Sequence, residues 1–246
     1  MRNLFYGVAL LALVSCGSSK KSGSETAAAN TSAANTLTKA EKAAGWKLLF
    51  DGKSKAGWHV YNKKSNGSAW KVADGTLYFD PSEKEGTGDI VSDGQYENFH
   101  LKLEWKLPAG GNSGLIFLAQ EDAKYEYAYY TGPEMQMIDN TSHPDAKNIK
   151  HRSGDLYDMI SAKPEASTPA TEWTQIDLIV QNAKLEMKVN GTTVVSTTMW
   201  DENWRDLISR SKFKTLNDFG TFRRGRFDLQ DHGNKVWFRN IKIKQL

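Results

Sequence analysis

The sequence predicts an antiparallel β-sandwich, and three features carry that expectation. Apolar and polar residues alternate strictly in several stretches after Trp46, most cleanly in Phe99-His100-Leu101-Lys102-Leu103-Glu104-Trp105-Lys106-Leu107. A period of two gives a strand one buried and one solvated face. Turn dipeptides separate such runs, as Asn190-Gly191 does between Leu185-Met187-Val189 and Val194-Val195, and Asn-Gly readily takes the positive φ of a tight hairpin. Only one convincing stretch after Trp46 has helical spacing. Many short strands, frequent turns and little helix fit two packed antiparallel sheets.

Ahead of the strands stands a different kind of chain. Arg2 supplies a positive start, Leu4 to Val14 form a short apolar run, and Leu13-Val14-Ser15-Cys16 follows the pattern of a bacterial lipoprotein cleavage site. Cys16 is the only cysteine in 246 residues. A lone thiol in an exported chain has no internal disulfide partner, and lipidation gives it a role. Residues 1–15 are therefore read as a signal peptide and residues 16–44 as a disordered tether carrying lipidated Cys16. The tether is rich in Gly, Ser, Ala, Thr and Asn, with too little apolar surface to offset the entropy of ordering. The expected location is the cell envelope, with a membrane contact through the lipid only.

Residues 45–246 read as one domain. Trp70-Lys71-Val72 and Leu77-Tyr78-Phe79 flank Asp74-Gly75 as a first hairpin. Ile176, Leu178 and Val180 mark another alternating strand. Asp201 is a good helix N-cap, with Trp204, Leu207 and Ile208 on one side of a short surface helix. In the last run, Val236 to Ile243, the alternation changes phase near Asn240, which suggests a bulge.

Charge is nearly balanced, 32 Lys and Arg against 29 Asp and Glu, and interleaved along the strands. That argues against a nucleic-acid partner, which needs cations gathered on one face. The 8 tryptophans are many for this length; they suit either a large core or sugar stacking.

Three segments hold polar residues that a sandwich alone does not demand. Gly110-Gly111-Asn112-Ser113-Gly114 precedes Leu115-Ile116-Phe117, and its glycines permit close approach of a ligand or simply a tight entry into a strand. In Glu134-Met135-Gln136-Met137-Ile138-Asp139, alternation puts the methionines on one face and Glu134 and Gln136 on the other. His143 and His151-Arg152 follow, close enough in sequence for acid–base chemistry, though at no recognised zinc spacing. The third segment, Leu229-Gln230-Asp231-His232-Gly233, is either unusual turn chemistry or part of a site.

These segments, in this order, resemble the bacterial 3-keto-disaccharide hydrolase family. The resemblance rests on Trp46-Lys47-Leu48-Leu49-Phe50-Asp51-Gly52, Gly57-Trp58, Leu103-Glu104-Trp105, Gly111-Asn112-Ser113-Gly114, Glu134-Met135-Gln136, Gly154-Asp155-Leu156-Tyr157, Gln230-Asp231-His232-Gly233 and Val236-Trp237-Phe238-Arg239-Asn240. Lys106 departs from it, where many members carry Arg. The resemblance implies a concanavalin A-like jelly roll and a carbohydrate substrate. It also implies a reaction in which a C3 ketone acidifies the C2 proton of a glycoside, a base removes it, the C1 substituent leaves, and water adds. Under this reading His143, His151 and Glu134 are the catalytic candidates. Asn112, Gln136, Asp139, Arg152, Tyr157, Gln230 and His232 are substrate-binding candidates, and Arg152 or a divalent cation steadies the enolate. The alternatives are a non-catalytic carbohydrate-binding module at the envelope and a conventional glucanase, whose paired carboxylates are imperfectly met because Gln136 holds the middle position. On the leader pattern, Cys16→Ser is expected to release the protein from membranes while leaving the domain folded. Fractionation that recovers the processed variant on membranes refutes the lipoprotein reading.

Overall fold

The computed structural model describes Met1 and residues 34–246. The apolar leader, Cys16 and the first part of the expected tether lie outside the described residues. The described elements are α1 (Lys39–Ala43), β1 (Lys47–Leu48), β2 (Trp58–Val60), β3 (Trp70–Ala73), β4 (Thr76–Phe79), β5 (Ile90–Ser92), β6 (Phe99–Lys106) and β7 (Asn112–Ala119). They continue with β8 (Glu134–Ile138), β9 (Thr174–Gln181), β10 (Lys184–Val189), β11 (Thr192–Thr198), α2 (Glu202–Ser209), β12 (Arg226–Leu229) and β13 (Val236–Gln245). One sheet runs β11-β10-β9-β6-β13-β4-β3, with β1 paired to the far half of β13; the other runs β2-β5-β12-β7-β8. All pairings are antiparallel, and the architecture is a concanavalin A-like jelly roll.

Alternation decides which side chains fill the space between the sheets. From β6, Phe99, Leu101, Leu103 and Trp105 point inward beside Ile176, Leu178 and Val180 of β9. They meet Leu115 and Phe117 of β7, Met135 and Met137 of β8, and Phe227 and Leu229 of β12 in one apolar cluster. Each large side chain removed from water in this way contributes roughly 1.5–3 kcal/mol before conformational entropy is charged against it. The expected hairpins form, with Asp74 at φ 50° and Asn190 at φ 48°. α2 begins where Asp201 caps it, accepting a hydrogen bond from the Trp204 N–H at 2.7 Å, and Trp204 is buried.

The phase change in β13 is a bulge between Arg239 and Lys242, with Asn240 in the left-handed region at φ 55°. It opens a gap in the ladder between β4 and β1, and Asn35 fills that gap. The Asn35 N–H donates to Asn240 Oδ1 at 2.6 Å, the Asn240 N–H donates to Asn35 Oδ1 at 2.8 Å, and Asn35 Nδ2 donates to the Gly75 carbonyl at 2.7 Å. α1 follows, closed by a capping box between Thr38 and Glu41, and Glu41 pairs with Lys242.

The expectation of a disordered tether through residue 44 is therefore corrected at its C-terminal end, where α1 forms, while α2 is the one α-helix after Trp46. Polar residues secure this segment through hydrogen bonds to a bulge, so low hydrophobicity did not prevent ordering. A chain beginning at residue 45 should be less stable than one beginning at residue 33 by about 2 kcal/mol, the scale of a few net hydrogen bonds. That amounts to a fall in thermal midpoint of roughly 4–8 °C. Equal midpoints by calorimetry would mean that the segment only rests on the sheet.

Candidate active site

β8 lies at the edge of the smaller sheet. With Met135 and Met137 turned inward, its alternation carries Glu134 and Gln136 to the sheet's outer face. A cavity of about 220 Å³ opens there. The segment after Ser153 pairs along β8: the Gln136 N–H donates to the Asp155 carbonyl at 3.0 Å and the Tyr157 N–H to the Glu134 carbonyl at 3.0 Å. This places Tyr157 at the cavity wall. The Asp155 carboxylate holds the turn by accepting from the N–H groups of Arg152 at 2.6 Å and Ala162 at 2.7 Å.

Gly114, on the neighbouring β7, makes room for the Glu134 carboxyl. A Cβ at position 114 would lie 2.1 Å from Glu134 Oε1. Glu134 is 6% exposed and accepts no hydrogen bond from the described residues. Burial pushes its pKa up to about 8, with Lys212 pulling it down and Asp89 and Asp145 adding to the rise. Around it stand Asn112, whose buried Oδ1 has no partner, and Gln136, whose Oε1 accepts from the Met137 N–H at 2.8 Å. Gln230 and His232 complete the far wall. The loop carrying His232 is fixed by Asp231, whose carboxylate accepts from the Gly88 and Gly233 N–H groups, each at 2.9 Å. Among the described residues no hydrogen bond engages the His232 ring. It meets His143 edge-on, with ring centroids 6.5 Å apart.

Six sequence-derived candidates thus converge: Asn112, Glu134, Gln136, Tyr157, Gln230 and His232. Four do not line this cavity. His143 caps the turn Pro144–Lys147, its Nδ1 accepting from the Asp145 N–H at 3.1 Å. His151 is clasped by two carboxylates, Nδ1 to Asp145 at 2.8 Å and Nε2 to Asp158 at 3.0 Å, and its ring lies 4.3 Å from that of Tyr157. It buttresses Tyr157 and has no free nitrogen. Arg152 turns to Glu165 at 2.7 Å. Asp139 ties the turn into β7: burial raises its pKa, but N–H donors including Gly110 and Thr141 outweigh that and hold it low.

Other residues enter the site without any sequence signal. Lys212, in the loop after α2, lines the cavity with its Nζ 4.1 Å from the Tyr157 ring centroid. Tyr129 and Phe213 also line it. Asp228 was legible: Phe227 and Leu229 face the core, so Asp228 must face out. It lies opposite Ile116, which lies opposite Glu134, in one row across three strands. Both Asp228 carboxyl oxygens are buried without a partner, and burial pushes its pKa well up, helped by Asp89, Glu134 and Glu121. Among the described residues no three His, Cys, Asp or Glu side chains converge as metal ligands.

A jelly roll with a polar, partly aromatic cavity on one outer face places the protein in the concanavalin A-like sandwich class. Residues 45–244 match the model of the 3-keto-alpha-glucoside-1,2-lyase-like domain, and the chain belongs to that family. It is 36% identical to a 3-keto-disaccharide hydrolase of Bacteroides thetaiotaomicron, with all of both chains covered. A crystal structure of a candidate glycosyl hydrolase from Parabacteroides distasonis superposes with a TM-score of 0.81 at 33% identity, covering 87% of this chain and 99% of that one. A second structure from the same organism, at 24% identity and a TM-score of 0.62, covers 82% and 99% respectively and shares the fold.

The buried Asp228 has a consequence for stability. A carboxyl whose pKa rises on folding keeps its proton in the native state. Its favourable contribution is complete below about pH 4, where the unfolded chain is protonated too, and declines as pH climbs through the folded value. Asp228→Asn, which cannot ionise, should therefore melt at a higher temperature than the parent on the alkaline side, with the gap widening from pH 5 to pH 8. A constant gap across that range would show that Asp228 is ionised in the native state.

Proposed function

We propose that the protein cleaves 3-keto-glycosides by elimination and hydration, as a lipid-anchored enzyme of the cell envelope. The observation that carries this reading is an unengaged imidazole, His232, sharing one cavity with a buried carboxyl that stays protonated at neutral pH.

In the proposed reaction the ketone-bearing ring sits against Asn112, Gln136 and Tyr157. His232 accepts the C2 proton. His143 is less suited, because its Nδ1 already accepts a hydrogen bond, which leaves the proton of the neutral ring on the other nitrogen. Negative charge then builds on the C3 oxygen. Glu134 donates a hydrogen bond to it and Lys212 supplies positive charge, an arrangement whose worth grows as water is excluded. The electron pair of the former C2–H bond becomes the C1–C2 double bond as the C1–O bond breaks. The leaving oxygen takes up the proton that His232 removed. Water then adds across the double bond, oxygen to C1 and hydrogen to C2, so the net change is hydrolysis.

On this scheme His232→Ala should cut turnover of a 3-keto-glucoside by roughly 10²–10⁴-fold, the size of a general-base contribution. Glu134→Gln should lose about 10²–10³-fold, as when one oxyanion donor is removed. Wild-type turnover should fall as pH rises through about 8, where Glu134 loses its proton, and Glu134→Gln should lack that decline. Undiminished turnover in His232→Ala would remove the base from the scheme.

A further inference from the structure

We propose that the outer face of the larger sheet rests on the anionic phospholipid surface of the membrane that holds the anchor. This rests on the reading of the chain as lipidated at Cys16. Alternation turns Tyr78, Lys106, Trp237 and Arg239 out of the sandwich, and register brings them together. Trp237 lies opposite Tyr78 on one side and Lys106 on the other. Lys235 Nζ sits 5.0 Å from the Tyr78 ring centroid and 5.2 Å from that of Trp237. Lys106 Nζ is 5.1 Å from the rings of both Trp237 and Trp173, and the Arg239 guanidinium lies 4.0 Å from Trp173. Cations and half-buried rings thus alternate along one band.

Three observations point to a bilayer as the partner. The first is chemical: Trp and Tyr interleaved with Lys and Arg suit the headgroup layer, where amphipathic rings settle and cations meet phosphate. The second is charge. Glu104 pairs with Arg239, and Asp80 and Glu83 pair with Lys71 beyond Tyr78, but among the described residues no ion pair engages Lys106 or Lys235. The third is where the chain enters the domain. Asn35 bonds Asn240, whose Nδ2 donates to Glu104 at 2.7 Å. Glu41 then pairs with Lys242, and Trp46 packs on His100 with ring centroids 4.8 Å apart. Glu104, Lys242 and His100 all belong to the outward set of this sheet. Even fully extended, the chain from Cys16 to Asn35 reaches only about 65 Å, so a lipid at Cys16 keeps this face near the bilayer. The cavity at Glu134, on the outer face of the other sheet, then opens away from the membrane.

The full chain carrying Cys16→Ser separates the face from the anchor. At low salt it should bind vesicles of phosphatidylglycerol and phosphatidylethanolamine roughly 10–30-fold more tightly than phosphatidylcholine vesicles, the scale of two lysines at an anionic surface. Adding Lys106→Glu together with Lys235→Glu should remove that preference. At physiological salt, screening over about 8 Å weakens the attraction, so the face orients an anchored protein and does not by itself hold a free one. With both lysines intact, vesicles should slow acetylation of Lys106 and Lys235 several-fold, read by mass spectrometry, while Lys212 on the opposite face labels as in solution. Equal binding to the two vesicle types, unchanged labelling of both lysines, or protection of Lys212 in their place would overturn the proposal. Protection by soluble polygalacturonate but not by vesicles would overturn it too, and would assign the band to an acidic polysaccharide. The expected vesicle pattern in a protein whose Cys16 carries no lipid in the cell would uphold the face and refute the anchor.

Discussion

The site depends on one constraint: the carboxyl of Glu134 is held out of water with no hydrogen-bond donor to stabilise its charge. Burial of an unpartnered carboxylate is costly enough that the group keeps its proton instead. A protonated carboxyl can donate a hydrogen bond as well as accept one. The neighbouring acids enforce that protonation, since Asp228 and Asp89 lie on the same face of the sheet and any charge on them opposes ionisation of Glu134. Gly114 is the steric counterpart, because only a residue without a Cβ leaves the carboxyl its place.

Rigid and adaptable parts are divided between strands and loops. β7 and β8 supply Asn112, Glu134 and Gln136 from a fully paired sheet, so their positions follow from register. His232, Lys212 and Tyr129 arrive on connections whose backbones are pinned at a few points. The Asp231 carboxylate spans two turns, and the Lys212 N–H donates to Asp158 at 2.6 Å. Asp158 in turn holds His151, which supports Tyr157. A histidine that resembles a catalytic base in sequence thus serves as the post behind a wall of the cavity.

Local pattern made much of this readable. The alternation in residues 134–138 predicted which side chains reach the cavity, because period two fixes faces wherever one side is buried. The caps and hairpins at Asp201, Asp74 and Asn190 followed from short-range chemistry. Sequence proximity is a poor guide where loops fold back: His143, His151 and Arg152 sit close to Glu134 along the chain, but His143 Nδ1 caps a turn while His151 and Arg152 pair with carboxylates, and none of them lines the cavity. Lys212 was invisible for the opposite reason, since nothing local records that the loop after α2 returns to β8. The order in residues 34–44 was missed because composition measures apolar burial, whereas Asn35 is held by reciprocal amide bonds to a bulge 205 positions away.

The tryptophans bear on how the molecule reports on itself. Trp58, Trp70, Trp105 and Trp204 are buried in the sandwich, while Trp46, Trp173, Trp200 and Trp237 are half-buried, and none lines the cavity at Glu134. Indole emission is therefore a gauge of the integrity of the sandwich, nearly blind to what occupies the site. The aromatic rings lining the cavity belong to Tyr129, Tyr157 and Phe213, so an optical signal of occupancy there lies in the tyrosine bands.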